Sequence, residues 1–274
     1  MRLLIINADD FGKDSEVNQA VIEAFRSGLC SSATLMVNMP GFEEACELFS
    51  REDLAGCVGV HLVLRDGLPL TDPIRKFPRF CDPQGRLCLA RQGVVPHLFL
   101  SGLEKRVLAQ EIRAQIGRCR SRGIEPTHLD SHYDLHMEWG VAEVLLQVVR
   151  KEGIPYVRIA RNCGRGLHLA KRFYKTLFNR RLTRAGVART RFRGSVADYE
   201  VLRERFTAQG RELANAIDSF EVMVHPRFGP DGVLRDDSDG RPLKIAVGLL
   251  DGFRKAVSFG GRLRGGSLRE GGKR

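Results

Sequence analysis

The stretch Leu3-Leu4-Ile5-Ile6-Asn7-Ala8-Asp9-Asp10 joins a short apolar run to a pair of acids. The aliphatic residues predict a buried strand that ends where the two carboxylates begin. After this strand in the sequence, residues 15–28 carry apolar side chains at helical spacing, and residues 32–39 again favour a strand. A strand, a helix and a second strand in this order form the unit from which parallel α/β sheets are built.

The same alternation continues along most of the chain. Further strands are predicted at residues 57–64, 126–132, 154–160 and 220–225, and further helices at residues 42–49, 103–122, 140–151 and within 199–219. The number of strands favours an α/β fold of the (β/α) barrel type, a barrel variant with mainly parallel strands and its active site at the C-terminal strand ends. An open, doubly wound sheet is the alternative. We expect one domain over residues 1–259 and a disordered Gly- and Arg-rich tail over residues 260–274.

Composition excludes several classes of protein. The 274 residues are 43% hydrophobic and 28% charged, as in soluble globular proteins, and no apolar run has the length of a transmembrane helix. The seven cysteines are scattered, which indicates reduced thiols rather than disulfides or a zinc ribbon. Because the N-terminus lacks the pattern of a signal peptide, we expect a cytoplasmic protein.

One segment carries as much positive charge as the whole net excess of +11. Residues 161–197 contain eleven Lys and Arg residues and no acid. Apolar residues are interleaved with these charges, namely Leu167, Leu169, Phe173, Leu177, Phe178 and Leu182. We favour a helix whose apolar stripe packs on the domain, and the alternative is peripheral contact with an anionic membrane. Since the rest of the chain is balanced, we expect no specific binding of nucleic acid.

Side chains suited to chemistry stand at the ends of four predicted strands. They are Asp9 and Asp10, His61, a histidine-rich stretch at residues 128–136, and His225. Taken singly, each has an ordinary explanation as a turn, a helix cap or a core histidine. Parallel strands, however, bring their C-terminal ends to one face, where these segments can converge.

Two histidines and a carboxylate form a three-ligand metal site with open positions. Neighbouring residues in a strand point to opposite faces, so Asp9 and Asp10 can share one pocket only if the chain turns between them. One carboxylate could then hold the metal while the other takes a proton from the water that the metal activates. His225 could give a proton to the leaving group.

These segments resemble the motifs of the YdjC-like carbohydrate deacetylases, the ChbG and hopanoid-associated family. The motifs are NADDFG at residues 7–12, GVHL at 59–62, PTHLDSH at 126–132 and EVMVHP at 221–226. The resemblance implies a (β/α) barrel variant and a metal-dependent hydrolase, a carbohydrate N-deacetylase that removes an N-acetyl group from a sugar or glycolipid. It also implies a divalent metal ion as cofactor, with Mg²⁺ expected and Zn²⁺ as the alternative.

Carried over position by position, the resemblance implies Asp10, His61 and His132 as metal ligands. It implies Asp9 as the general base and His225 as the general acid.

Other positions follow from the same motifs. The resemblance implies that Asp130 orients a ligand histidine and that Arg158 and Arg161 contact the substrate. One position departs from the family pattern His-x-His-x-His, because Asp134 replaces the middle histidine. We expect Asp134 to face the pocket or to lie just behind the metal ligands, where its charge could change the choice of metal or substrate. The expected partner is an N-acetylated sugar or glycolipid, and a homodimer is left open.

Three other functions stay open. One is a different metal-dependent hydrolase, for instance of a phosphoester, that uses the arginine-rich segment as an anion clamp. Another is a non-catalytic sugar- or lipid-binding relative, although Asp9 and His225 together favour an enzyme. The last is nucleic-acid binding through the basic segment.

Overall fold

The structure is a computed structural model that describes residues 3–89, 99–163, 169–213, 217–244, 254–255 and 259. The strands are β1 (Leu3–Phe11), β2 (Ser32–Leu35), β3 (Val58–Leu62), β4 (Leu129–Ser131), β5 (Phe192–Gly194), β6 (Ser219–Val224), β7 (Pro226–Phe228), β8 (Leu234–Asp236) and β9 (Arg254–Lys255). The α-helices are α1 (Ser15–Arg26), α2 (Phe42–Arg51), α3 (Gly102–Ser121), α4 (Trp139–Lys151), α5 (Leu169–Arg184) and α6 (Val196–Thr207). Short 3₁₀ turns lie at Pro73–Lys76 and His132–Met137.

A curled sheet of parallel strands forms the centre of the protein. Its order is β4-β3-β2-β1-β6-β5, and β9 pairs with the first residues of β1. Each of these pairings is parallel, and the helices surround the sheet as a half-barrel. The prediction of a barrel variant with mainly parallel strands is therefore confirmed. A separate antiparallel hairpin, β7-β8, follows β6 directly.

The predicted strand at residues 154–160 is not a continuous strand in the structure. Leu129 N donates to Tyr156 O at 3.0 Å, and Ala188 N donates to Pro155 O at 3.1 Å. Pro155 has no amide hydrogen, which limits the segment to single bridges instead of a regular ladder. These bridges link β4 to the chain that leads into β5, so the two edges of the half-barrel are connected.

Burial explains why the strands have no polar face. All nine residues of β1 are buried, because the sheet is covered on both sides. Helix α1 begins at Asp14, whose side chain accepts from Val17 N at 2.8 Å, and it packs on β1. Among the described residues, no helix is both long and apolar enough to cross a bilayer.

The basic segment is helical over α5, and its apolar stripe divides. Phe178 and Leu182 are buried in the domain, whereas Leu169 is 83% and Phe173 70% exposed. Packing on the domain therefore explains only the C-terminal half of the apolar stripe. Leu167 and the tail at residues 260–274 lie outside the described residues, and the domain limits of 1–259 stay a prediction.

Candidate metal centre and active site

Strand β1 turns at its C-terminal end and brings two neighbouring carboxylates into one cavity. Its pairing with β2 changes register between Ala8 and Phe11, and Asp10 has a φ of 66°. Aspartate is among the few residues that adopt this left-handed conformation readily. As a result, Asp9 and Asp10 both line a cavity of about 500 Å³, instead of pointing to opposite faces of the sheet.

Three side chains from different strand ends meet in this cavity. Asp10 Oδ1 lies 2.9 Å from His132 Nδ1 and 3.2 Å from His61 Nε2. His61 belongs to β3, and His132 is the first residue after β4. Their ligand atoms all lie within 4.8 Å of one another. The residues predicted as metal ligands are thus brought together.

The donor set fits a divalent cation. Asp10 Oδ1 and His61 Nε2 are buried, and within the described part of the chain neither has a hydrogen-bond partner of acceptable geometry. A buried polar atom without a partner is costly, and a shared cation would satisfy both. Two imidazoles and one carboxylate leave coordination positions open for water and substrate.

The charges around His61 favour its protonated, positively charged form before any cation binds. Burial by itself would lower the pKa of His61, but the charge of Asp130 and the close contact with the Asp10 carboxylate raise the pKa to about 10. Burial would raise the pKa of Asp10, yet the close contacts with His132 and His61 hold this pKa far below its usual range. A cation would displace the proton from His61, since a metal binds the neutral imidazole.

His61 is held in place from behind. Its Nδ1 lies 2.7 Å from Asp130 Oδ1, and Thr34 Oγ1 lies 3.1 Å from the same nitrogen. Thr34 Oγ1 also donates to Asp130 Oδ2 at 3.2 Å. Such a contact fixes the ring so that Nε2 faces the metal position. The predicted role of Asp130, to orient a ligand histidine, requires this contact. The sequence gave no indication that Thr34 takes part, beyond its place in a predicted strand.

Asp9 is held by a buried guanidinium. Arg158 Nη1 and Nη2 donate to its two oxygens at 2.6 and 2.7 Å, and Asn7 Nδ2 donates to Oδ1 at 2.9 Å. Arg158 also donates to Glu221 at 2.6 Å and contacts Asp130. A planar group with five donors suits several carboxylates at once.

The two arginines expected to contact substrate do not line the cavity. Arg158 is fully buried outside the lining of the cavity, and its N–H groups contact three carboxylates. Arg161 has a side chain that is 43% exposed and is paired with Asp198. The positions therefore favour a positioning role for Arg158 instead of direct contact, and they give Arg161 a surface ion pair.

His225 lines the same cavity and lies close to Asp9. Its Nε2 lies 4.0 Å from Asp9 Oδ2, and its Nδ1 lies 3.7 Å from Asp236 Oδ1. Burial would lower the pKa of His225, but the neighbouring carboxylates of Asp236 and Asp9 outweigh burial and raise this pKa above its usual range. The carboxylates around His225 thus favour the protonated imidazole. Asp236 lies on β8, and its sequence surroundings gave no sign of this contact.

The other two histidines of the stretch at residues 128–136 belong to the core. His128 Nε2 lies 3.1 Å from Asn7 Oδ1, and burial lowers its pKa to about 3. His136 Nε2 lies 3.1 Å from Arg158 O, and burial lowers its pKa to about 4. Both are neutral at physiological pH and fully buried, so the ordinary core explanation holds for them.

Asp134 lines the cavity but is directed to an arginine. Its Oδ1 lies 3.0 Å from Arg193 Nη2, and Arg193 is almost completely buried. Burial would raise the pKa of Asp134, but the charge of Arg193 holds this pKa well below its usual range. Two groups of candidate metal ligands are found among the described residues, Asp10 with His61 and His132, and Asp9 with His61 and Asp130, and neither includes Asp134. Its charge is thus compensated by the protein itself.

The chain matches the family model for YdjC-like proteins over residues 3–247. A carbohydrate deacetylase of Halalkalibacterium halodurans is 31% identical over 236 residues, 86% of this chain and 89% of that protein. A chitooligosaccharide deacetylase of Yersinia pestis is 33% identical over 234 residues, 83% of this chain and 82% of that protein. A carbohydrate deacetylase of Brevibacillus brevis is 40% identical over 152 residues, which span 56% of this chain and 57% of that protein.

A solved structure shares the fold. A protein of Enterococcus faecalis, described as a cellobiose-phosphate cleavage protein, superposes with a TM-score of 0.66 and 23% identity. The match covers 94% of this chain and 97% of that one. With a family model that spans most of the chain and two relatives above 30% identity, the chain belongs to the family of YdjC-like proteins.

Proposed function

We propose that this protein is a metal-dependent carbohydrate N-deacetylase. The observation that carries the proposal is the cavity that Asp9 and His225 line together with the cluster of Asp10, His61 and His132. A base, an acid and a donor set for a divalent cation are the groups that amide hydrolysis needs. The names of the relatives support a sugar as the carrier of the acetyl group.

Each group has one task in this proposal. A divalent cation on Asp10, His61 and His132, Mg²⁺ or Zn²⁺, would polarise the acetyl carbonyl and lower the pKa of a water molecule. Asp9 takes a proton from the attacking water, and Arg158 holds this carboxylate in position through two hydrogen bonds. His225 Nε2 gives its proton to the amide nitrogen as the C–N bond breaks, so that acetate and an amino sugar leave.

The test is acetate release from a panel of N-acetylated sugars and glycolipids, with EDTA and then with metal added back. We expect release that EDTA abolishes and that a divalent cation restores. Asp9→Asn should keep the metal and lose turnover, whereas His132→Ala should lose both. A near-normal rate for Asp9→Asn would show that the base is misassigned.

The same assay separates the other functions. Phosphate release from a sugar phosphate without acetate release would indicate a phosphoester hydrolase. Binding of metal at one ion per chain with no product from any substrate would indicate a non-catalytic binding protein.

We also propose that α5 touches an anionic membrane surface when the substrate is a glycolipid. In support, Leu169 and Phe173 are exposed on a helix that carries six Lys and Arg residues and no acid. Wild type should sediment with anionic vesicles more than a variant that replaces Lys171, Arg172, Arg180 and Arg184 by Gln. Equal sedimentation would remove the proposal.

A further inference from the structure

Lys13 lines the cavity from the turn that joins β1 to α1. Its backbone N–H donates to Asp10 O at 3.0 Å, and its carbonyl accepts from Gly41 N at 3.3 Å. Gly12 has a φ of 87°, and a Cβ at this position would lie 2.9 Å from Met36 O. Because glycine alone fits such a position without strain, the start of the lysine side chain is fixed relative to Asp10.

The ammonium group of Lys13 contacts one of the two oxygens of the Asp10 carboxylate. Lys13 Nζ donates a hydrogen bond to Asp10 Oδ2 at 3.1 Å. The other oxygen, Oδ1, is the one that lies next to His61 and His132. The lysine therefore leaves Oδ1 as the oxygen that Asp10 can offer to a metal. Since the Lys13 side chain is 34% exposed, solvent screens its charge only in part.

We propose that Lys13 sets the metal affinity of the site, because its positive charge opposes the binding of a divalent cation. Like charges repel, and this ammonium contacts the same carboxylate that the cation would use. Asp10 is then a weaker ligand than an unpaired carboxylate would be, and the metal ion exchanges more readily with its surroundings. The inference rests on the metal dependence of the proposed function and adds a residue that is not itself a ligand.

Arg65 shows why the position of Lys13 matters more than its charge alone. Arg65 also lines the cavity, but its Nε lies 3.5 Å from Asp66 Oδ1, and Asp66 is not a predicted ligand. Lys13 forms its ion pair with Asp10, which is one. The charge of Lys13 is therefore directed at the metal site itself.

A purely structural role for Lys13 predicts the opposite effect on metal binding. If the ion pair only steadied Asp10, its removal would leave the carboxylate less well placed, and metal binding would weaken. If the charge opposes the metal, its removal strengthens binding. The sign of the change in affinity thus separates the two roles.

Calorimetric titration of the whole chain with Zn²⁺, and separately with Mg²⁺, measures this sign. Lys13→Met should lower the dissociation constant about tenfold, equivalent to about 1.4 kcal/mol. Lys13→Gln can still donate a hydrogen bond to Asp10 but has no charge, and it should also bind the metal more tightly than wild type. Lys13→Arg keeps the charge and should stay within about threefold of wild type. Arg65→Met is the matched control and should also change the constant by less than about threefold, since Asp66 and solvent screen this charge.

The possible results separate this inference from the deacetylase. Unchanged or weaker metal binding by both neutral variants would overturn the role of Lys13 and leave the deacetylase as proposed. An equal gain in affinity for Lys13→Arg or Arg65→Met would overturn it as well. Metal binding by Lys13→Met but not by wild type would support the inference even if wild type released no acetate. No binding by any variant would overturn it together with the metal dependence.

Discussion

Replacing Arg158 by Met should destabilise the protein strongly and in a pH-dependent way. The guanidinium is fully buried and satisfies Asp9, Asp130 and Glu221, which are also buried. Removing one partner of a buried ion pair costs about 3–5 kcal/mol, because the remaining charge is left without compensation. Since three carboxylates depend on this one cation, we expect a loss of at least about 3–5 kcal/mol near pH 8.

The sign of the pH dependence follows from the pKa values. In wild type, burial would raise the pKa of Asp130, but the charges of Arg158 and His61 hold it far below the usual range. This carboxylate therefore contributes stability above its unfolded pKa of about 3.9 and loses it as pH falls. Without Arg158 the folded-state pKa of Asp130 rises, so the variant loses stability as pH rises. The difference between wild type and variant should be larger at pH 8 than at pH 5.

Urea unfolding at both pH values measures this difference. Arg26→Met is the matched control, since Arg26 also donates two hydrogen bonds to one carboxylate, that of Glu52, but on the surface. Solvent screening should make its effect much smaller. A destabilisation by Arg158→Met that equals the control, or that does not change with pH, would refute the reasoning.

Arg158→Lys separates stability from catalysis, because it keeps the charge and loses the two-bond contact with Asp9. We expect kcat to fall about 100-fold with little change in KM, as for a misplaced catalytic group. A similar kcat would show that the orientation of Asp9 does not depend on this contact.

Three further predictions concern the walls of the cavity. Asp130→Asn should weaken metal binding about 10- to 100-fold in calorimetric titration, since His61 loses its carboxylate partner, and Thr34→Val should weaken it less. The proposed role of His225 as acid requires its protonated form, and its pKa is raised; kcat should therefore fall as pH rises through this pKa, and His225→Gln should lose that limb of the pH profile. Asp134→Asn should be less stable than wild type at pH 7, and the difference in urea unfolding should shrink as pH falls below the unfolded pKa of about 3.9, because a lowered folded-state pKa gives stability that is lost as pH falls.

Much of the fold could be predicted because it rests on local patterns. Buried parallel strands such as β1 read as continuous apolar runs, and the helices show the spacing of one apolar face. Residues 154–160 were one exception, since an apolar run does not tell how many ladder hydrogen bonds Pro155 and its neighbours can make, and β5 and the β7-β8 hairpin were not predicted. The left-handed turn at Asp10 was required by chemistry but could not be read from the sequence.

The sequence allowed us to predict which residues form the site, but not which contacts each of them makes. The convergence of Asp10, His61 and His132 follows from parallel strands that end on one face. Whether an arginine at a strand end faces the cavity or the core depends on how many acids lie behind it. Arg158 is buried because Asp130 and Glu221, far away in sequence, arrive at the same point as Asp9. Arg158 thus balances part of the negative charge next to the cavity, and it connects Asp9, the proposed base, to Asp130, the carboxylate that contacts His61. Metal binding and proton transfer should therefore respond together to a change at Arg158, although this residue does not line the cavity.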